Sequence, residues 1–188
     1  MIFLERMKKL VEQFSDEQCQ LQENVALYGL QNAPPPLAKH IIFSPMSDAL
    51  INHLFASYRG TIPRELETLY RGMNGADLFW FARYNKVLKF PLAFSRLSIY
   101  GIPLSSRQKI EPFNISVEDL NRPKGTPQEW IKFASYLKTE YDTTKLDLFV
   151  DSKTNKVFAL ERDAVSFEIR ESWDSIDQCL CSILDSLE

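Results

Sequence analysis

Hydrophobic and polar positions along the chain change period several times, and each change predicts an element. Leu4, Met7, Leu10, Val11 and Phe14 recur at three- and four-residue steps. That spacing predicts an amphipathic helix from Ile2 to about Leu30, with Ser15 able to cap a second piece. Pro34-Pro35-Pro36 forbids helix and predicts an extended linker. Ser44 and Pro45 predict the cap and first turn of a helix bearing Leu50, Leu54 and Tyr58 and ending at Gly60. A third helix is predicted over Ile62–Tyr70, with Pro63 near its start and Glu65 in its first turn. Its buried face is Leu66, Leu69, Tyr70 and Met73, and Asn74-Gly75 stops it because both residues tolerate positive φ.

From Leu78 the pattern favours strands: Leu78–Phe81, Leu97–Tyr100 with a bend at Gly101, and a third at Val165–Ile169. Leu146, Leu148 and Val150 alternate with Asp147, Phe149 and Asp151, and Val157–Glu161 alternates again. The polar loop between them, with Asn155 suited to a left-handed backbone, predicts a hairpin over Leu146–Leu160. The dense apolar run Trp130–Leu137 reads as a helix starting near Pro127. Ser172 opens the last helix, whose face is Ile176, Leu180, Ile183, Leu184 and Leu187. Ile115–Leu120 reads as a short strand or one helical turn.

Together these elements predict an α+β fold: a mostly antiparallel sheet flanked by helices, with an N-terminal helical extension. The predicted division is an extension and proline linker over 1–38 and a main domain over 39–188. At 188 residues the chain is long enough to bury a core without disulfides or metal. No apolar run reaches the 18 residues of a membrane span, and the N-terminus lacks the apolar centre of a signal peptide. Cys19, Cys179 and Cys181 form no paired framework, which favours a reducing, cytoplasmic compartment.

Residues 1–139 carry 13 acidic and 17 basic side chains, whereas residues 140–188 carry 12 and 5. The acidic C-terminal third argues against nucleic acid as a direct ligand, because a phosphate backbone needs a basic stripe. Candidate chemistry is sparse. His40 and His53 stand without companions at metal-ligand spacing. Cys179 and Cys181, two apart on a helix, diverge by about 200°. Phosphate-cradling and nucleophile-elbow glycine motifs are missing. Asp147 and Asp151 lie roughly 13 Å apart on one strand face, far for an acid/base pair, and read as solvent-facing. Trp80, Trp130 and Trp173 read as core. No catalytic residue, metal ligand or cofactor site is assigned.

The ordered elements resemble the SUKH superfamily, of the Smi-one/Knr-four type. Ile62-Pro63-x-x-Leu66-x-x-Leu69-Tyr70-x-x-x-Asn74-Gly75 resembles its opening helix, and Leu97–Gly101 its middle strand. Trp130–Ala134 stands at its aromatic–phenylalanine position. Leu148–Asp151 with Lys156–Phe158 resembles its hairpin, and Ser172–Leu180 its closing helix. The likeness covers about residues 40–187. Asn155 stands where glycine is usual, 102–128 matches no part of the pattern, and 1–38 lie outside it. The resemblance implies a helix-flanked antiparallel sheet and a cytoplasmic immunity protein that neutralises a toxin by direct binding, with no catalytic residues. The alternative it implies is a regulatory or scaffold module of the same fold. On the immunity reading the partner is a toxin domain, such as a basic nuclease, and neither nucleic acid nor membrane. The expected partner-binding residues are Glu161, Asp163, Glu168, Glu171, Asp174 and Asp177.

Overall fold

The computed structural model describes residues 1–14, 19–22, 25–31, 37–56, 61–85, 89–101, 123–139, 144–161 and 167–187. In chain order the elements are α1 (Ile2–Glu12), β1 (Cys19–Gln22), β2 (Val25–Gln31), β3 (Leu37–Phe43), α2 (Asp48–Phe55) and α3 (Arg64–Gly72). There follow β4 (Ala76–Asn85), β5 (Phe90–Ile99), β6 (Trp130–Tyr136), β7 (Leu146–Asp151), β8 (Val157–Glu161), β9 (Ile169–Trp173) and α4 (Ile176–Leu187). The nine strands form one antiparallel sheet in sequential order, from β1 at one edge to β9 at the other. The α+β expectation holds.

All four helices pack on one face. Phe3, Met7 and Leu10 of α1, Ile51 and Phe55 of α2, Leu66, Leu69 and Tyr70 of α3, and Ile176, Leu180 and Leu184 of α4 join one large core. Leu78, Leu97, Ile99, Ala134, Leu148 and Val150 meet them from the sheet. Carboxylates stitch the helix ends. Glu65 Oε2 accepts from the backbone N–H of Ile176 at 2.8 Å, and Asp177 accepts from Ile2 and Phe3 at 2.9 and 2.8 Å. Each places a negative charge at a helix N-terminus, where unpaired N–H groups and the dipole favour it.

The α3 stop is as expected. Met73 leaves the helix extended, Asn74 is buried and Gly75 adopts φ +93°. Across from it, a Cβ on Gly101 would lie 2.1 Å from the Asn74 carbonyl oxygen, so only glycine fits. The β7–β8 hairpin also stands as expected, with Asn155 at φ +61°. Asp151 closes its loop, its carboxylate accepting from Lys153 N–H and the Thr154 hydroxyl.

Several expectations are corrected. The first helix ends at Glu12, and β1 and β2 occupy residues read as its continuation. Val25, Leu27 and Gly29 are buried between half-buried Ala26 and Tyr28, a period of two that fits strand and not helix. β2 pairs with β3 from Val25↔Phe43 to Gln31↔Leu37, so the sheet runs through the expected 38/39 division. Helix α2 is capped by Ser47, whose Oγ accepts from Leu50 N–H at 3.3 Å. The expected opener is set aside because Met46 N–H is engaged by Tyr70 O.

The run Trp130–Tyr136 is a strand, with every residue buried. A strand covered on both faces reads as an unbroken apolar run and loses its alternation. At the C-terminal end Ser172 and Trp173 belong to β9, and Ser175 caps α4 by accepting from Gln178 N–H at 3.1 Å. The expected third strand lies at Ile169–Trp173, leaving Val165 and Ser166 outside the described residues. Gly60 and Ile115–Leu120 also lie outside them.

Candidate functional site

Register places one row of directly paired residues across six strands: Ile41, Asp77, Ser98, Ser135, Asp147 and Leu160. Directly paired residues share a face. This face is opposite the helices, since the flanking row Ile42, Ala76, Ile99, Ala134 and Leu148 points into or against the helical core. The middle four positions of the row are polar, and all four are at most 5% exposed. Two small apolar clusters flank them: Val25, Leu27, Ile41 and Phe43 on one side, and Trp130, Phe149 and Leu160 on the other. Trp130 stacks on Phe158 with centroids 4.2 Å apart and planes at 4°.

Within the row, the Ser95 hydroxyl donates to Asp77 Oδ1 at 3.1 Å and lies 2.5 Å from the Ser98 hydroxyl. Burial pushes the Asp77 carboxyl above its ordinary value, while the two serines and Lys145 act in the opposite direction. Lys132 Nζ meets Asp147 Oδ2 at 2.8 Å, with both side chains buried. Tyr100 donates to Asp147 Oδ1 at 3.4 Å, and the Lys132 ammonium lies 5.5 Å from the Tyr100 ring centre. Asp147 was expected to face solvent; it is fully buried and ion-paired instead. A charge without water needs an opposite charge, and Lys132 on the neighbouring strand supplies it.

Side-chain bonds thus join β4 to β5 through Asp77, Ser95 and Ser98, and β6 to β7 through Lys132 and Asp147, while the Ser135 hydroxyl has no partner among the described residues. The row's serines and carboxylates are enclosed, so it has the character of a register-fixing network and not of an open cleft. Among the described residues no group of three or more His, Cys, Asp or Glu side chains is placed to hold a metal ion. Cys179 is buried and Cys181 half-buried, each thiol pushed up chiefly by burial.

Five of the six expected partner-binding carboxylates are described; they gather at the β9 end of the sheet, and each meets a cation or a helix end. Arg170 bridges Glu161 at 2.8 Å and Glu168 at 2.9 Å. Glu171 pairs with Lys138, and Asp174, 82% exposed, lies 3.6 Å from Lys156. Asp177 is engaged by the α1 N-terminus, which ties it to the fold. Asp163 lies outside the described residues. Four carboxylates thus face three cations, and the acidic excess of the C-terminal third shrinks to one charge here. Sequence reading could count the charges but not the pairing, because Lys138 and Lys156 reach the edge from other segments.

Strand β9 is the last strand of the sheet and presents Ile169, Arg170 and Ser172 to solvent. Ile169 and Ile2 are the exposed large hydrophobic residues among those described. No described helix is long and apolar enough to cross a membrane. Comparison with protein-family models, curated proteins and solved structures finds no match to the chain.

Proposed function

We propose that this protein is a non-catalytic binding module that neutralises a toxin domain by direct contact in the cytoplasm, as its resemblance to SUKH immunity proteins implies. The observation that carries the reading is the β9 end of the sheet. There an edge strand with unpaired outer backbone among the described residues bears an exposed Ile169, beside Glu161, Glu168, Glu171 and Asp174. An open edge offers backbone hydrogen bonds to an added strand, and mixed charges confine it to a complementary partner. The steering expected of a bare acidic face is weak here, because Arg170, Lys138 and Lys156 offset it. Specificity then rests on contact with the Glu161–Arg170–Glu168 cluster more than on long-range attraction.

The test pairs the full chain with the toxin domain encoded beside it. Association rates are measured at low and high salt for wild type, Glu168→Lys and Glu161→Lys. Protection of cells that express the toxin is scored in parallel. Slower association at low salt, with the gap closing at high salt, supports the reading. Binding without protection favours the regulatory-module alternative, and no binding by the wild type rejects the immunity reading.

A further inference from the structure

Between the C-terminal turns of α1 and α4 and the sheet lies a half-open cavity of about 400 Å³. Its walls are of two kinds. Leu10, Leu187, Phe79 and Trp80 supply apolar and aromatic surface, while Lys39 and Arg96 supply two positive charges and Gln13 a neutral amide. No carboxylate lines it among the described residues. Neither cation has a carboxylate partner among them: Lys39 lies over the Phe14 ring at 5.0 Å, and Arg96 donates to the Lys138 carbonyl. We propose that this cavity binds a small organic anion, a monocarboxylate with an apolar or aromatic body, with Arg96 and Lys39 holding the carboxylate.

Three further features point to an acceptor-rich ligand. Arg96 Nε and Trp80 Nε1 are enclosed N–H donors with no hydrogen-bond partner among the described residues. His40, behind the wall, accepts from Phe79 N–H through Nδ1 at 3.3 Å, which leaves the hydrogen of the neutral ring on Nε2, also enclosed and unpartnered. Buried donors are nearly always paired in folded proteins, so three together on and behind one cavity wall call for a cause. The third feature is strain. Phe79 has φ +55°, a conformation costly for a bulky residue, and the ring it presents to the cavity packs edge-on against His40 at 4.8 Å. Backbone strain of this sort concentrates where a ligand is clamped.

The competing explanation is two hydrated cations offsetting the negative ends of α1 and α4. It accounts for the charges and leaves the enclosed Arg96 and Trp80 donors and the Phe79 conformation unexplained. The volume suits a ligand of metabolite size, and polar groups supply more of the lining surface than the apolar side chains beside them. The cavity is distinct from the β9 edge, so the two proposals stand or fall separately.

The experiment is calorimetric titration of the full chain with phenylacetate, neutral phenylacetamide and inorganic phosphate. The indole N–H resonance of Trp80, assigned with Trp80→Phe, is followed alongside. Phenylacetate should bind and move that resonance, and phenylacetamide should bind roughly tenfold or more weakly, the difference a charge-assisted bond makes. Arg96→Gln and Lys39→Gln should each weaken phenylacetate by a similar factor. If Arg96→Gln fails to fold, Lys39→Gln carries the comparison, since among the described residues that amine is engaged by the Phe14 ring alone. No binding of phenylacetate at millimolar concentration, equal affinity for the amide, or unchanged affinity in the folded variants would overturn the proposal. Binding of phosphate alone would overturn its apolar-body half.

Discussion

Beneath the four helices the sheet is apolar: Leu78, Leu97, Ile99, Leu148 and Val150 are all at most 1% exposed and meet helical side chains. On the opposite face the central strands carry Asp77, Ser98, Ser135 and Asp147, just as buried; Asp77 and Ser98 bond with Ser95, Asp147 pairs with Lys132 and Tyr100, and the Ser135 hydroxyl has no partner among the described residues. Burial alone does not distinguish the two faces. What differs is how each tolerates loss. An apolar face loses transfer energy and gains a cavity when truncated. A paired polar face leaves a stranded charge when one partner goes, and is nearly indifferent when both go. The polar face therefore specifies which strands pair in which register more than it contributes net stability.

The largest effect should follow from breaking the ion pair on one side only. Lys132→Ala, which strands the Asp147 charge, should cost about 3–5 kcal/mol in urea unfolding. The double variant Lys132→Met/Asp147→Leu should recover most of that loss. A single variant costing no more than the double would mean that the two faces fail alike and the comparison is wrong.

On the helical face, Leu180→Ala should cost about 2–5 kcal/mol, the range for a buried leucine in a closely packed core. A measured loss under about 0.5 kcal/mol would mean that α4 does not bury the side it shows to the sheet.

The faces should also respond to pH with opposite sign. His40, paired with Leu78 and fully buried, has its pKa pushed from the ordinary 6.5 down to about 4 by burial and by Lys39. The unfolded chain binds the proton more readily, so stability present at neutral pH is lost as pH falls from 6.5 toward 4, by about 3 kcal/mol in full. Asp77 has its carboxyl raised by burial above 3.8. Its folded form holds the proton more tightly, so its contribution is present at low pH and is lost as pH rises above 3.8. Asp77→Asn should therefore steepen the acid loss of the whole protein, and replacing His40 should flatten it. Parallel unfolding midpoints from pH 3.5 to 7.5 would check both slopes. A wild-type profile unaltered by either change would remove the electrostatic contrast between the faces.

The smallest effect sits at the end of α3. Gly75 holds φ +93°, so Gly75→Ala should cost about 1 kcal/mol with little change in the dependence on urea. A loss well above the Leu180→Ala value would mean that the turn, and not the packed faces, governs stability.

The sequence by itself determined the elements whose cause is local. Leu66, Leu69 and Tyr70 repeat at helical spacing, Asn74-Gly75 stops a helix by backbone freedom, and Leu146–Leu160 alternates around a loop that Asn155 can turn. Each of these is decided by residues a few positions apart, and each stands in the structure. Only the tertiary structure decided the rest. Trp130–Tyr136 is apolar enough for a buried helix or for a strand covered on both sides, and pairing with β5 and β7 selects the strand. Cys19–Gln22 and Val25–Gln31 become strands because β3 is there to pair with β2, and β2 with β1. Asp147 looks like a solvent-facing residue until Lys132 is brought beside it. The acidic side chains of the C-terminal third read as one surface until Arg170, Lys138, Lys156 and the α1 N-terminus divide the five that are described. Period and turn chemistry act over one or two turns of chain, whereas the partner of a buried charge, the cover of a strand and the walls of a cavity come from segments distant in sequence, brought together only by the fold.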